Sequence, residues 1–266
     1  KIRGVTLTGS DKAGAVVAQQ AAKVLKKTVM ELGSNDAFIV LEDADLELAA
    51  TTCAHARLYN NGETCVAAKR FIVVDSVYDE FRELLIEKFK GYKVGDPMQE
   101  TTDVGPMSST QQRETLQKQV QESIDKGAKV AYSSDVDDSL PKEGAYQPLV
   151  ILENISEDQP AYKDELFGPV ASLIRAKDEK DAFRIANDSR YGLGGGVFSK
   201  DEDKAIRLAT KYFDTGMIYI NGYSLVQPGL PFGGVKDSGF GREHGGFGIK
   251  EFINIKALHV VGKAPA

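Results

Sequence analysis

The amino-acid sequence predicts an α/β protein with a mostly parallel sheet and flanking helices. Short apolar runs with strand character alternate along the chain with segments whose apolar residues recur at helical spacing. This alternation is typical of parallel sheets, because a helix carries the chain back from the end of one strand to the start of the next. The length of 266 residues is enough for one large domain or two moderate ones with a buried core.

The first half of the chain supplies four predicted strands and four predicted helices. The strands are expected at residues 5–9, 28–32, 37–41 and 70–75. The helices are expected at residues 11–26, 46–59, 77–90 and 111–126. Residues 92–110 are interrupted by Gly and Pro, which predicts a long loop between the last two of these helices.

The second half continues the alternation up to a glycine-rich segment. Strands are expected at residues 129–134, 149–155, 170–176, 194–199 and 216–222. Two helices are expected at residues 178–187 and 201–213. Residues 231–248 contain too much glycine for a regular element, and the run KALHVVG at residues 256–262 predicts a late strand.

Composition excludes several classes of function. The formal net charge of −6 argues against nucleic acid or an anionic membrane surface as the main partner. No apolar run is long enough to span a bilayer, so no membrane partner is expected. The chain has two cysteines and three widely separated histidines, so we predict neither a disulfide scaffold nor a metal site. A reducing cytoplasm is the expected location.

The first strand is followed by a turn, Gly9-Ser10, and a predicted helix. The N-terminus of a helix presents unpaired N–H groups and a partial positive charge, which can hold a phosphate group. Ser10 is suited either to cap the helix or to donate to a phosphate oxygen. The residues alone leave an ordinary capped helix and a phosphate site both open, because neither a GxGxxG pattern nor a P-loop is present.

Two further positions carry reactive groups. Glu31 closes an apolar strand just before Gly33, and the ends of such strands line the crevice of an α/β sheet. Cys65 follows the turn Gly62-Glu63-Thr64, where a thiolate is exposed beside its own backbone N–H. Cys53 lies in a helical run of small residues and is expected in the core. The residues alone leave Cys65 as either a nucleophile or a packing residue, and a Cys–His hydrolase lacks a histidine in a comparable turn.

Six motifs occur in order: LTGS, MELGSN, NNGETC, ELFGPV, NDSRYGLGGGVFS and PFGGVKDSGFGRE. Together they resemble the C-terminal part of the NAD(P)-dependent aldehyde dehydrogenase family, and the resemblance runs through nearly the whole chain. Longer runs such as SNDAFIVLEDADLELA and GFGREHGGFGIKEFIN are most similar to the bacterial succinate-semialdehyde dehydrogenases. The resemblance implies the aldehyde dehydrogenase fold, including the end of a Rossmann-like cofactor domain.

The resemblance also implies a domain division. Residues 1–33 would end the cofactor domain, residues 34–236 would form the catalytic domain, and residues 237–266 would return to the cofactor domain. The N-terminal half of the family is expected to precede Lys1. The segment KALHVV resembles the strand that pairs between subunits, so a homo-oligomer, either a dimer or a tetramer, is expected.

The implied activity is oxidation of a small-molecule aldehyde, succinate semialdehyde in the first instance, with NAD or NADP. By the same resemblance Cys65 would attack the aldehyde, Glu31 would activate the water that hydrolyses the thioester, and Glu243 would relay protons. Two alternatives stay open. One is a CoA-acylating relative, which has no need of Glu31 as a water-activating base, and the other is a family member that binds cofactor without turnover.

The remaining implied contacts involve the cofactor and the substrate. The residues expected to bind the cofactor are Gly9, Ser10, Leu32, Glu165 and Phe167. Phe232 is expected to line the substrate channel.

Three features of the sequence depart from the family pattern. Ser34 replaces a second glycine and is expected to crowd the nicotinamide or to shift the backbone of Glu31. Glu63 replaces a glutamine and is expected to raise the pKa of the thiol unless its carboxylate points away. Tyr59 and Asn60 stand where semialdehyde enzymes often carry an arginine for the substrate carboxylate, and Arg57 lies further back.

Overall fold

The computed structural model describes residues 2–262 and contains three sheets in that range. The strands are β1 (Gly4–Thr8), β2 (Lys27–Glu31), β3 (Ala37–Val40), β4 (Arg70–Val74), β5 (Lys129–Ser133), β6 (Val150–Glu153), β7 (Val170–Ala176), β8 (Tyr191–Gly192), β9 (Gly195–Phe198), β10 (Tyr219–Ile220), β11 (Val235–Lys236) and β12 (Gly239–Phe240). The helices are α1 (Asp11–Ala22), α2 (Leu46–Leu58), α3 (Asp75–Lys90), α4 (Thr110–Asp125), α5 (Pro160–Lys163), α6 (Glu179–Asn187), α7 (Glu202–Tyr212) and α8 (Gly248–Phe252).

The largest sheet has seven strands in the order β10-β9-β3-β4-β7-β6-β5. All its pairings are parallel except the antiparallel pairing of β5 with β6. One face packs against α2 and α3, and the other packs against α6 and α7. Helices on both faces explain why β3 and β4 are buried at every residue. The predicted α/β class with a mostly parallel sheet is confirmed.

A smaller sheet joins the two ends of the chain. Strands β1 and β2 are parallel, and β12 runs antiparallel to β2 with Gly239 opposite Glu31. This pairing places the glycine-rich segment directly beside the strand that carries Glu31. The sheet is compatible with the predicted division at residues 33 and 237, which stays a prediction.

Most helices begin where the sequence offers a side-chain cap. Each capping oxygen accepts the backbone N–H three residues further on, which satisfies a group that the helix itself leaves unpaired. The capping residues are Ser10, Asp45, Ser109, Asp178 and Asp201. Among residues 2–262, none of the helices is long and apolar enough to cross a membrane.

Three predicted elements differ from the structure. The first helix ends at Ala22, four residues early, and Leu25 beyond it has a positive φ of 53°. The strand predicted at 216–222 shortens to the two residues of β10. Residues 256–262 form no strand with another described segment of this chain, and the predicted pairing of KALHVV between subunits stays a prediction. Exposed residues such as Leu258 and Val260 carry strand-type side chains without a sheet edge to join.

Candidate active site

The turn that presents Cys65 follows directly from the end of α2. Asn60 and Asn61 take positive φ values of 50° and 59°, and Gly62 takes 72°. Asn61 fixes the turn to the long loop, because its side chain donates to the carbonyl of Pro106 at 3.0 Å and accepts from the backbone N–H of Gly105 at 3.0 Å. A side chain at Gly62 would come within 2.5 Å of a backbone oxygen, so the turn requires glycine there.

Cys65 itself is half-buried and packs against an apolar cluster. The cluster contains Val66, Leu193 and Phe232, with Met217 and Leu225 at its margin. Burial raises the pKa of the Cys65 thiol, and the ammonium of Lys69 acts in the opposite direction. Cys53, by contrast, is completely buried in α2, as predicted from its small neighbours. The two free cysteines therefore occupy different environments.

Lys69 lies beneath the Cys65 turn and was not singled out from the sequence. Its side chain is 1% exposed. The ammonium donates to the backbone carbonyls of Cys65 at 2.8 Å and Ala67 at 3.1 Å, and lies 3.3 Å from that of Thr64. A single lysine four residues after a cysteine has no distinctive pattern in a sequence. Only the fold shows that this one is buried.

Ser34 links the Cys65 turn to the end of β2. Its hydroxyl accepts a hydrogen bond from the Lys69 ammonium at 2.9 Å and donates to the carbonyl of Cys65. Ser34 is completely buried, so both contacts are shielded from water. The hydroxyl that replaces the expected glycine therefore points toward the Cys65 turn.

Glu31 ends β2 in a buried position without hydrogen-bond partners. The residue is 3% exposed, and neither carboxylate oxygen has a partner among the described residues. Burial, together with the negative charge of Glu243, raises the pKa of Glu31 to about 8, and the positive charge of Arg242 acts in the opposite direction. A carboxyl group with this pKa changes its protonation close to neutral pH.

The glycine-rich segment brings Glu31, Glu243 and Phe232 into one region. Phe232 and Glu243 exchange two backbone hydrogen bonds of 2.9 and 2.7 Å. Gly233 has a φ of 147°, and a Cβ atom added to it would lie 2.8 Å from Oε1 of Glu31. Phe232 also packs in the cluster with Cys65, so this one segment contacts both the Cys65 cluster and the region of Glu31.

Glu165 contacts both Ser34 and Lys69 next to the Cys65 turn. Its Oε1 atom accepts the backbone N–H of Ser34 at 3.0 Å and lies 3.3 Å from the Lys69 ammonium. A Cβ atom at Gly33 would approach Oε2 to 2.6 Å, so this carboxylate lies directly against the backbone that follows Glu31. Phe167 is half-buried two residues further on.

The Gly9-Ser10 turn lies at the start of α1, beside the same strand end. The N–H of Gly9 donates to the carbonyl of Glu31 at 3.0 Å, which fixes the turn to β2. The hydroxyl of Ser10 caps the helix by accepting from the N–H of Ala13 at 3.2 Å. Leu32 is buried against α1, where a Cβ atom at Gly14 would come within 2.5 Å of it.

A cavity of about 480 Å³ opens beside Phe232. Its walls come from residues 216–220, 222–227 and 230–232, and include Tyr219, Tyr223 and Leu225. Among these described lining residues there is no lysine and no arginine. The cavity therefore presents mainly apolar and aromatic surface next to the cluster that contains Cys65.

Comparison with known proteins identifies the family. The model of the aldehyde dehydrogenase family matches residues 1–258. The chain belongs to the aldehyde dehydrogenase family. It is 48% identical over 257 residues to a succinate-semialdehyde dehydrogenase of Deinococcus radiodurans, whose name specifies NADP(+). The match covers 97% of this chain and 53% of that protein.

Two other relatives agree with this result. A succinate semialdehyde dehydrogenase of Escherichia coli K12, named for NAD(P)+, is 41% identical over 97% of this chain and 55% of its own length. A crystal structure of succinic semialdehyde dehydrogenase from Streptococcus pyogenes with NADP+ has a TM-score of 0.92 at 42% identity. It covers 97% of this chain and 56% of that one. The chain thus spans about half the length of the curated relatives it matches.

Two departures from the aldehyde dehydrogenase pattern remain to be located: Glu63 in place of glutamine, and the absence of an arginine directly before the Cys65 turn. Glu63 points away from the sulfur, because its carboxylate accepts hydrogen bonds from the N–H and hydroxyl of Ser108, at 3.0 and 2.6 Å. Arg57 is completely buried, and its guanidinium donates to the carbonyl of Gly62 at 2.6 Å. It supports the Cys65 turn and is not available to a substrate carboxylate.

Proposed function

We propose that the complete protein oxidises an aldehyde to a carboxylate with NAD or NADP through a thioester on Cys65. One observation carries the proposal. Cys65 packs in a cluster with Phe232, and the next residue, Gly233, lies against Glu31. The carboxyl group of Glu31 is buried and has no hydrogen-bond partner among the described residues. A nucleophile and an available base in one shielded space are what thioester formation and hydrolysis require.

The first step is attack of the Cys65 thiolate on the aldehyde carbon. A C–S bond forms, and the carbonyl π electrons move to oxygen to give a thiohemiacetal oxyanion. Glu31 is the proposed acceptor of the thiol proton. The backbone N–H of Cys65 donates to no group within residues 2–262, so it is available to stabilise the oxyanion.

The residues beside this space fit a nicotinamide cofactor. Glu165 uses Oε1 for its contacts with Ser34 and Lys69, which leaves Oε2 without a hydrogen bond inside the described part of the chain and able to accept from a ribose hydroxyl. Gly9 and Ser10 at the start of α1 would face the pyrophosphate. Phe167 and Leu32 would complete the contacts. When bound, the oxidised cofactor supplies a hydride acceptor for the thiohemiacetal carbon.

Hydrolysis of the resulting thioester depends on Glu31. Its ionised form removes a proton from water as the water oxygen bonds to the acyl carbon, and the C–S bond then breaks to release the carboxylate and Cys65. A base whose pKa is near the working pH is the most effective, and the pKa of about 8 meets this condition. Glu243, which faces Glu31, is the proposed route for the proton to solvent.

We propose succinate semialdehyde as the substrate because the relatives from Deinococcus radiodurans and Escherichia coli carry that name. A carboxylate-binding cation would then have to come from outside the walls of the cavity beside Phe232, since Arg57 is committed to Gly62. The comparison of succinate semialdehyde with butanal tests this point, because the two aldehydes have four carbons and differ in charge.

The test measures reduced nicotinamide by absorbance with the complete protein, each aldehyde, and NAD or NADP. The expected result is turnover with a preference for succinate semialdehyde. Equal turnover of butanal would reject the semialdehyde assignment while leaving aldehyde oxidation intact. Product that appears as an acyl-CoA only when CoA is added would indicate the acylating reaction. Cofactor binding without turnover on a panel of aldehydes would reject catalysis.

We further propose that a second copy of the protein covers the C-terminal segment 253–261. Its apolar side chains are exposed, including Ile255 at 76% and Leu258 at 87%, and the segment has no strand partner within the described residues. Sedimentation of the complete protein, compared with Leu258→Asp and Val260→Asp variants, tests this. The expected result is a dimer or tetramer that dissociates in the variants, and an unchanged size would overturn the proposal.

Three assignments accompany the proposed activity. Residues 1–33 and 237–266 belong to a cofactor domain, and residues 34–236 belong to a catalytic domain. The smaller sheet, which joins β1 and β2 to β12, supports this division. A cytoplasmic location suits a mechanism that needs Cys65 as a free thiol.

A further inference from the structure

Lys69 is unusual because it is a buried cation with several partners and little solvent contact. Four acceptors lie within 3.3 Å of its ammonium and share its three N–H groups: the carbonyls of Thr64, Cys65 and Ala67 and the hydroxyl of Ser34. Isolated burial of an ammonium costs several kcal/mol, so a lysine in this position requires compensating partners. Three of those partners are backbone groups of the turn that carries the proposed nucleophile.

Two acidic residues, Glu165 and Asp36, lie close to Lys69 beside the same turn. Glu165 forms an ion pair with the ammonium at 3.3 Å. Burial lowers the pKa of Lys69, whereas Glu165 and Asp36 raise it. Asp36 is completely buried beneath the same turn and also accepts the backbone N–H of Gly194 at 3.0 Å.

We propose, on the basis of the thioester mechanism proposed for Cys65, that Lys69 is a positioning residue that orients the Cys65 turn and holds a positive charge beneath the sulfur. Lys69 does not touch the substrate in this scheme. It acts through the backbone of residues 64–67 and through its charge. Ser34 extends the arrangement by connecting Lys69 to the strand end that carries Glu31.

The orientation follows from the planarity of the peptide bond. In a trans peptide the C=O and the next N–H point in opposite directions. No cis peptide occurs within residues 2–262. The carbonyl of Thr64 faces the Lys69 ammonium, so the N–H of Cys65 points away from Lys69. Lys69 thereby fixes the direction of the proposed oxyanion donor.

The positive charge of Lys69 lowers the pKa of the Cys65 thiol. Lys69 is the principal favourable charge near the Cys65 sulfur, and Asp36 and Glu165 oppose it. Removal of the ammonium would leave the thiol with burial and two negative charges, all of which raise its pKa. The other titratable groups that face Cys65 or Lys69 are Arg57, Tyr219 and Tyr223.

The test is the rate of Cys65 alkylation by iodoacetamide as a function of pH, measured on the complete protein without substrate. Three variants are compared: Lys69→Met removes charge and donors, Lys69→Gln removes the charge and keeps amide donors, and Lys69→Arg retains the charge. We expect the midpoint of the profile to rise by about one pH unit in Lys69→Met and Lys69→Gln, which slows alkylation near pH 7 about tenfold. Lys69→Arg should keep the wild-type midpoint.

Matched controls separate this effect from general damage. Lys118→Met removes a lysine whose side chain is 77% exposed on α4 and should leave both the midpoint and the rate unchanged. Ser34→Ala, which keeps the charge and removes one of the partners, should keep the midpoint and lower the turnover rate several-fold. If Lys69→Met does not fold, the Lys69→Gln and Lys69→Arg pair makes the same comparison of charge.

Wild-type midpoints in folded Lys69→Gln and Lys69→Met proteins would overturn the inference. The alkylation assay needs no turnover, so its outcome is independent of the proposed function. A protein that oxidises no aldehyde but shows the expected shift would reject the function and keep Lys69 as the residue that positions Cys65. If the protein oxidises aldehydes but the alkylation profile of Lys69→Gln is unshifted, the proposed function is kept and the role of Lys69 is rejected.

Discussion

The two sides of the site differ in how their polar groups are held. On the Cys65 side, Lys69, Ser34 and Arg57 bind the backbone carbonyls of the turn. On the Glu31 side, the carboxylate is buried against glycine backbone and has no hydrogen-bond partner in the described chain. The backbone of the Cys65 turn is thus fixed by hydrogen bonds, whereas the Glu31 carboxylate makes none within the described chain.

The difference reflects what each group has to do. A nucleophile gains from a fixed position, because correct placement removes much of the entropic cost of reaction. A base has to exchange a proton, and a carboxylate held by several donors would have a low pKa and little basicity. The unpaired state of Glu31 costs stability and raises the pKa to about 8. The following variants test this contrast, beginning with the largest expected effect.

Replacement of the nucleophile should have the largest effect on activity. Cys65→Ala should lower aldehyde oxidation at least about a thousandfold, because no other group can form the thioester. Cys53→Ala is the matched control, since Cys53 is completely buried in α2 and away from the site. It should retain turnover and lose about 1 kcal/mol of stability. Activity that survives in Cys65→Ala would reject the mechanism.

Loss of the base should have opposite effects on activity and stability. Glu31→Gln should lower turnover about a hundredfold, because water loses its proton acceptor. Wild-type turnover should rise with pH through about 8 as Glu31 ionises, and the variant should lose this rise.

The sign of the stability effect follows from proton binding. The pKa of Glu31 is raised in the folded state, so the folded protein binds more protons than the unfolded chain between about pH 4.5 and 8. Stability falls across this range as pH rises. Glu31→Gln should therefore be more stable than wild type above pH 8 in urea unfolding, and a less stable variant would contradict the unpaired state of Glu31.

A smaller effect is expected at the glycine that shields Glu31. Gly233→Ala should lower stability by about 1–3 kcal/mol, because the position has a φ of 147° and the new Cβ would lie 2.8 Å from Oε1 of Glu31. Gly229→Ala is the control in the same segment, where a Cβ would meet no atom within 4 Å. Its stability should stay within about 0.5 kcal/mol of wild type in urea unfolding. Equal losses in both would show that Gly233 is not specifically required.

Sequence reasoning was more successful for the order of elements than for the contacts that support the Cys65 turn. The alternation of strands and helices is a local pattern, and the parallel sheet followed from it. The support of the Cys65 turn depends on contacts between residues far apart in the chain, such as Lys69 with Glu165. The sequence around Lys69 contains no signal that its side chain is buried. The strand expected at 256–262 has no partner within the described chain for a similar reason, because a strand needs a partner as well as suitable side chains.

The smallest effect is expected at Glu63, which lies two residues from Cys65 but belongs to neither side of the site. Its carboxylate is held by the N–H and hydroxyl of Ser108, and this contact keeps the charge away from the sulfur. Glu63→Gln should change turnover less than about twofold and stability by at most about 1 kcal/mol, since an amide oxygen can still accept from Ser108. A marked rise in the rate of thiol alkylation in Glu63→Gln would show that proximity in sequence outweighs the direction of the side chain. An unchanged rate would show that the Glu63 charge, held by Ser108, does not act on the thiol.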